Sequence, residues 1–261
     1  MLAYCTPVRA DLPSIEISGV PVARVTPRRA LDAIEDLARS APPVMVTHVN
    51  VHTLNLAVAD ASYKELVRSA DLVLNDGKGI MLGARLLRTP FPADLNGNFF
   101  TPLLLEVAGK RGWPVYFLGA KPGVAERAAE IVGGRIPGLT VAGARDGYFA
   151  ADEEEEVAAA ICASGAKVVL VGLGNPRQER WLGRWLGSTG ALVGSGVGAF
   201  FDFQTGEVAR APDWMNRMAL EWVHRLAKEP RRMWHRYLVG NPRFLWRVAR
   251  EKRASRASSP R

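Results

Sequence analysis

Between about residue 26 and residue 206, short continuous apolar runs alternate with segments whose apolar residues recur every three or four positions. Val44 to Val49, Leu72 to Leu74, Val115 to Leu118, Leu139 to Ala142, Val168 to Val171 and Ala191 to Val193 predict strands buried on both faces. Helical spacing predicts helices from Thr26-Pro27 through Arg39, over Ser62 to Ala70, Ile80 to Leu87, Thr101 to Lys110 and Pro122 to Val132, and beyond Asp152 and Pro176. Thr26-Pro27 has the form of an N-cap followed by a first-turn proline. Glu153 to Glu156 place acidic side chains in a first turn, where the helix dipole favours them. Buried strands joined by helical crossovers define a doubly wound α/β class with a mostly parallel sheet.

After Pro212 the pattern is helical only. Pro212, Pro230 and Pro242 predict three helical segments ending in a frayed EKRASRASSPR tail. The change near residue 207 divides an α/β body, 1–206, from an appendage, 207–261. A stretch of about 55 residues buries too little core to fold alone. The net charge of +8 sits almost wholly there, with 14 Lys+Arg against 5 Asp+Glu, leaving 20 basic and 21 acidic residues for the body. The appendage also holds Trp214, Trp222, Trp234 and Trp246. Arginine mixed with Trp, Leu and Tyr suits an anionic lipid surface, a nucleic-acid patch or a plain solvated helix face.

With 48% hydrophobic and 23% charged residues, the composition excludes a disordered or fibrous chain. Cys5 and Cys162 match no zinc spacing and are too few for a disulfide framework, which points to reduced thiols in a cytosolic protein. The N-terminal stretch lacks the layout of a signal peptide, and no apolar run approaches the ~20 residues of a bilayer span.

In an open parallel sheet, ligands bind beyond the carboxyl ends of the strands. Those ends are polar and glycine-rich here: His48-Val49-Asn50-Val51-His52, Asn75-Asp76-Gly77-Lys78-Gly79, Gly119 to Gly123, Gly172 to Glu179 and Gly194 to Gly198. Glycines permit close backbone approach, and helix N-termini offer free N–H groups to phosphate. Together they predict a nucleotide or sugar-nucleotide pocket. Each alone is weak. No complete GxGxxG or Walker lysine motif is present. Asp76-Gly77 also suits an ordinary turn, Arg177 and Gln178 an exposed first turn, and His48 and His52 core-edge histidines satisfied by neighbours. No Asp/His/Glu cluster has metal-ligand spacing.

The stretches ADLVLNDGKGIMLGARLL, WPVYFLGAKPGVAERAA, VVLVGLGNPRQERWL, GSGVGAFFDFQTGEVARAPDWM and LEWVHRLAKEPRRMWHRYLVGNPRFL resemble the WecG/TagA/CpsF family of bacterial glycosyltransferases over about residues 44 to 246. The resemblance implies a Rossmann-like catalytic domain over 1–206 and a basic, helical, membrane-associating C-terminal appendage over 207–261. It implies inverting, metal-independent transfer from a UDP-sugar to a polyprenyl-diphosphate-linked saccharide for capsule, exopolysaccharide, teichoic-acid linkage or common antigen. The sugar would be N-acetylmannosamine, its uronic acid or glucose. The place would be the inner face of the cytoplasmic membrane, with no cofactor beyond the UDP-sugar as donor substrate.

Carried over residue by residue, Asp76 matches the aspartate of the family's DG-x-G motif, its proposed general base, and Gly77 follows it. Gln178 matches the glutamine of G-x-P-[KR]-Q-E, preceded by Arg177. Asn50 matches the asparagine of T-x-N. Arg225, Arg231 and Arg232 match arginines of the appendage. His48 stands where many members have the threonine of T-x-N. Asp94 stands where many have an arginine, and Phe99 replaces a motif aspartate. These departures point to a donor or acceptor other than the family's best-known one. Asp94, Asn96, Gly172, Gly174, Ser195 and Gly196 complete the expected substrate-binding set, and Gln178 and Arg210 are the expected side-chain donors to the diphosphate. The expected partners are the UDP-sugar, the lipid-linked acceptor and an anionic membrane surface, with no nucleic acid; the appendage also offers a homo-oligomer contact. The alternative reading is a nucleotide-dependent oxidoreductase on the same fold.

Overall fold

The computed structural model describes residues 11–208, 215, 221–228 and 230–257. It begins with a hairpin that the apolar pattern did not predict. β1 (Ser14–Ile17) and β2 (Val20–Ala23) pair antiparallel through Ser18-Gly19, both at positive φ (54° and 75°). That backbone suits the right-handed twist of a two-residue hairpin. Ile15, Ile17, Val20 and Val22 turn inward.

α1 (Pro27–Ser40) starts as expected, with Thr26 Oγ1 accepting from Arg29 N. The chain continues through β3 (Val44–Val49), α2 (Val51–Ala59), α3 (Ala61–Ser69), β4 (Leu72–Asn75), α4 (Lys78–Leu86) and α5 (Gly97–Arg111). It then passes through β5 (Val115–Gly119), α6 (Val124–Arg135), β6 (Val141–Arg145), α7 (Glu154–Ala163), β7 (Val168–Gly172), α8 (Arg177–Trp185), β8 (Val193–Gly196) and α9 (Phe200–Thr205). α5 begins four residues before Thr101, because the Asn96 side chain caps it by accepting from Phe99 N.

The sheet has six strands in the order β4-β3-β8-β7-β5-β6, every neighbouring pair parallel. The expected doubly wound α/β class is therefore correct. Alternate side chains feed two cores. Met45, Val49, Val73, Val169 and Val171 join one, and Val44, Val46, Leu72, Leu74, Val168, Leu170 and Val193 the other. Helices cover both faces, so the strands have no solvated side and read as unbroken apolar runs.

β8 corrects the sequence reading. Ala191 to Val193 was the expected strand and Gly194 to Gly198 the turn, but the strand is Val193–Gly196. Pairing with β3 on one side and β7 on the other satisfies this glycine-rich backbone and overrides its weak strand propensity. A Cβ on Gly194 would stand 2.7 Å from Leu182 Cδ2, so glycine is what lets α8 close on the sheet. β6 likewise lies later than Leu139 to Ala142, at the sheet edge, where its register to β5 shifts.

The appendage contains α10 (Glu221–Lys228), α11 (Pro230–Trp234), a π-helical turn (His235–Val239) and α12 (Gly240–Ala257). Pro242 does not break the helix as expected. It sits in the opening turn of α12, and the wider π turn before it accommodates its missing N–H and its ring. Nor does the chain fray at Glu251, since α12 continues to Ala257.

α12 is welded to the body. Phe244 and Val248 are fully buried. Arg247 donates to Ser18 Oγ (2.9 Å) and Asn55 Oδ1 (2.6 Å), Asn55 Nδ2 donates to Gly240 O (3.0 Å), and Ser18 N donates to Glu251 (3.3 Å).

Candidate active site

The carboxyl ends of all six parallel strands open on one cleft of about 1360 Å³. Its walls are His48 and Asn50 after β3, Asp76 to Gly79 after β4, Ala120 and Lys121 after β5, and Gly147 to Phe149 after β6. Gly172 to Asn175, Arg177 and Gln178 follow β7, and Gly196 to Ala199 end β8. Asp94 and Asn96 to Phe99 close one side. Trp222, Met233, Arg236, Tyr237 and Asn241 reach in from the appendage. Concave sites with a few convergent polar groups are the usual form of small-molecule sites.

Asp76 leaves β4 with its N–H bonded to Val49 O (2.9 Å), which ties it to the neighbouring strand. Its Oδ2 accepts from Asn50 Nδ2 at 2.9 Å. Asn50 Oδ1 is the cap of α2, accepting from the backbone N–H of His52 and Thr53 and from Thr53 Oγ1. One side chain thus ends a helix and orients a carboxylate. Asp94 Oδ1 accepts from Gly77 N (3.0 Å), and its Oδ2 pairs with Lys78 Nζ at 3.3 Å.

His48 is buried at the end of β3, with Nδ1 3.1 Å from Gly196 O. Because that oxygen only accepts, Nδ1 carries the hydrogen. Burial holds the imidazole below its ordinary value, and the Asp76 charge and the Gly196 bond only partly offset this.

In the first turn of α8, just beyond the β7–α8 turn, Glu179 is fully buried. Its carboxylate takes hydrogen bonds from Tyr63 Oη (3.0 Å), Asn175 Nδ2 (2.6 Å) and Gln178 Nε2 (2.8 Å). Burial still raises its pKa, and those donors work the other way. Burial, with the Glu179 charge adding to it, raises the Tyr63 phenol. Gln178 Oε1 accepts from Gly198 N (3.1 Å), so its amide braces the β7 turn against the β8 turn. Beneath them β5 and β7 nearly touch: Gly119, at φ +132°, lies where a Cβ would come within 2.5 Å of Gly172. Arg177 donates to Gly147 O and Phe149 O and stacks on the Phe149 ring, 4.6 Å from its centroid, which holds the loop after β6.

The structure brings Asp76, His48, Asn50, Gly77, Asp94, Asn96, Arg177, Gln178, Gly172, Gly174 and Gly196 to one cleft. Ser195 is not among its walls. It lies inside β8, 1% exposed, between Val46 and Leu170. Gln178 faces inward rather than standing as an open diphosphate donor. Arg210 and the side chains of Arg225 and Arg232 fall outside the described residues, and Arg231 is exposed away from the cleft walls. Sequence reasoning did not single out Lys78, Lys121, Tyr148, Arg236 or Tyr237. The two lysines were legible beside strand-end glycines. Arg236 and Tyr237 were not, because only folding places them opposite the sheet. Among the described residues no group of three or more His, Cys, Asp or Glu is placed to hold a metal, and no helix is long and apolar enough to cross a membrane.

Residues 15–258 match the family described as Glycosyl transferase WecG/TagA/CpsF family. The chain is 34% identical over 199 residues to a Bacillus spizizenii protein named N-acetylglucosaminyldiphosphoundecaprenol N-acetyl-beta-D-mannosaminyltransferase, covering 76% of each chain. A Bacillus subtilis protein of the same name is 30% identical over 217 residues, covering 83% of each.

Proposed function

The chain belongs to the WecG/TagA/CpsF family of glycosyl transferases, and from that premise we propose that it moves an N-acetylmannosamine-type sugar from a UDP-sugar to a saccharide linked to polyprenyl diphosphate. The names of its Bacillus relatives support this donor sugar and a diphosphoundecaprenol-linked N-acetylglucosamine acceptor. The observation that carries the reading is the cleft itself, in which the Asp76 carboxylate, held by Asn50, shares its walls with Lys78, Lys121 and Arg236. Membership in a glycosyl transferase family leaves the oxidoreductase alternative without support.

Asp76 accepts the proton of the acceptor hydroxyl, whose oxygen attacks the anomeric carbon as the bond to UDP breaks, inverting that centre. The departing diphosphate meets the cationic side chains and the backbone N–H groups of the β7–α8 turn. No metal is needed in this scheme.

The membrane-surface reading rests on α11, the π turn and α12. Trp234, Leu238 and Trp246 are 51%, 53% and 62% exposed. Arg243 and Arg250 lie beside Trp246, with Arg250 stacked on its ring at 4.8 Å. Aromatic and aliphatic groups beside arginines suit the headgroup region of an anionic leaflet, where the acceptor's lipid lies.

The test is a panel of UDP-sugars against short-chain polyprenyl-diphosphate-linked N-acetylglucosamine, with the lipid product read by mass spectrometry. The reading expects a mass gain of one N-acetylhexosamine with UDP-N-acetylmannosamine. No gain with any UDP-sugar would sink it.

A further inference from the structure

Five buried side-chain atoms among the described residues lack a hydrogen-bond partner: Thr47 Oγ1, His48 Nε2, Asn75 Oδ1, Thr101 Oγ1 and Trp181 Nε1. Of these residues only His48 lines the cleft. Its other ring nitrogen is committed to Gly196 O at 3.1 Å, which fixes the hydrogen on Nδ1 and leaves Nε2 as a lone-pair acceptor. The ring cannot turn away to find another partner. It sits on β3, an interior strand paired with both β4 and β8, and packs against Phe100, with ring centroids 5.9 Å apart. Asp76 is close enough to pull the imidazole pKa upward, yet burial outweighs it, so the ring stays neutral and Nε2 unprotonated near neutral pH. A buried acceptor without a donor is unfavourable, and such groups are rare unless something outside the protein completes them.

We propose that His48 Nε2 is a substrate ligand, accepting a hydrogen bond from a saccharide hydroxyl held in the cleft beside Asp76. The inference rests on the transferase reading and adds to it a specificity-determining contact. The family resemblance places a threonine at this position in many members. A hydroxyl both donates and accepts and rotates freely, whereas this imidazole only accepts, from a fixed direction. The site therefore selects a sugar that presents a donor at that point and rejects one that lacks it.

Two variants separate ligand from scaffold. His48→Asn places an amide N–H near Nδ1, keeping the bond to Gly196 O, and has nothing at the Nε2 position. His48→Gln reaches the Nε2 position with an amide oxygen and gives up the Gly196 bond. The proposal expects kcat/KM to fall on the order of tenfold to a hundredfold in His48→Asn, and to recover most of that in His48→Gln. A purely structural histidine predicts the reverse order. Equal activities, or the reverse order, overturn the proposal. Should either variant fold poorly, ¹⁵N spectra of the histidine-labelled wild-type chain supply the second readout. Adding UDP-N-acetylmannosamine, then the short-chain lipid-linked acceptor, moves the Nε2 resonance upfield from the unprotonated range. A resonance unmoved by both overturns the proposal. Wild-type protein that turns over no UDP-sugar takes the transferase reading and this inference down together. Wild-type turnover matched by His48→Asn removes this inference alone.

Discussion

Asn50 Nδ2 donates to Asp76 Oδ2 at 2.9 Å while Asn50 Oδ1 caps α2, so one amide joins the start of a helix to a strand-end carboxylate. The two halves of that amide have separable consequences. Asp76→Asn keeps the fold and lowers kcat by ~10²-fold or more, the usual contribution of a general base, with UDP affinity by calorimetry within a few-fold of wild type. Asn50→Ala loses the cap as well, and its unfolding free energy falls by about 1 kcal/mol. Asn50→Asp retains an acceptor for the cap but faces Asp76 with a second carboxylate. The two carboxylates repel, so the variant's kcat falls and its melting temperature falls with it as pH rises above the carboxylate range. Full turnover in Asp76→Asn would remove it from the base role.

Glu179 is buried beneath the same cleft, and its pH dependence has a definite sign. Its folded pKa is raised above the ordinary 4.5, mainly by burial. The folded state therefore holds the proton more tightly, and ionisation costs stability as pH rises from 4.5 through the folded pKa. Glu179→Gln cannot ionise. Denaturant titrations across that range should find wild type losing stability relative to the variant as pH increases. A difference that stays constant would mean that the carboxylate titrates alike in both states.

Gly172 lines the cleft, and Gly119 backs it from β5. Gly119→Ala puts a Cβ about 2.5 Å from the Gly172 backbone at a φ of +132°. Strain of this kind costs roughly 1–3 kcal/mol, and the clash adds to it. The variant should unfold at lower denaturant and bind UDP more weakly, because β5 and β7 must part.

The appendage has a structural inner face and an exposed outer one. Phe244 is fully buried with Val248, so Phe244→Ala should cost ~3–5 kcal/mol of stability. A stop before Glu207, at the boundary of the appendage, would remove both side chains and destabilise the body. Arg243→Glu with Arg250→Glu reverses two exposed charges and gives up only the Arg250 stack on Trp246. That pair should leave the melting temperature within a few degrees while weakening sedimentation with anionic liposomes. Added salt should weaken the wild type in the same direction through screening. Liposome binding unchanged by both would assign this face elsewhere.

On the proposed scheme the leaving diphosphate meets cations and N–H groups, so EDTA should leave transfer largely intact. Activity abolished by chelation and restored by Mg²⁺ or Mn²⁺ would contradict that part of the scheme.

The sequence determined the sheet. Strands such as Val44–Val49 and Val168–Gly172 are buried on both faces, so local composition alone announces them, and the polar residues that follow them must emerge at one edge. Asp76, Asn50, Gly172 and Gly174 were legible for that reason. The hairpin at Ser14–Ala23 and the strand at Val193–Gly196 were not. The first is made by a two-residue turn, and the second by neighbours on either side that satisfy a backbone whose own residues disfavour extension. Pairing between distant strands decided which glycines are turn and which are sheet, and so moved Ser195 out of the cleft. Long-range packing also turned the basic tail into part of the body. Phe244 finds its place only once α2 and α4 are assembled, and Arg236 meets the strand ends only once Phe244 is seated. The partners of His48 are likewise a tertiary fact. Residue type told that an imidazole stood at a strand end. Only the approach of Gly196, 148 residues away, fixed which nitrogen carries the hydrogen and left the other open to a ligand.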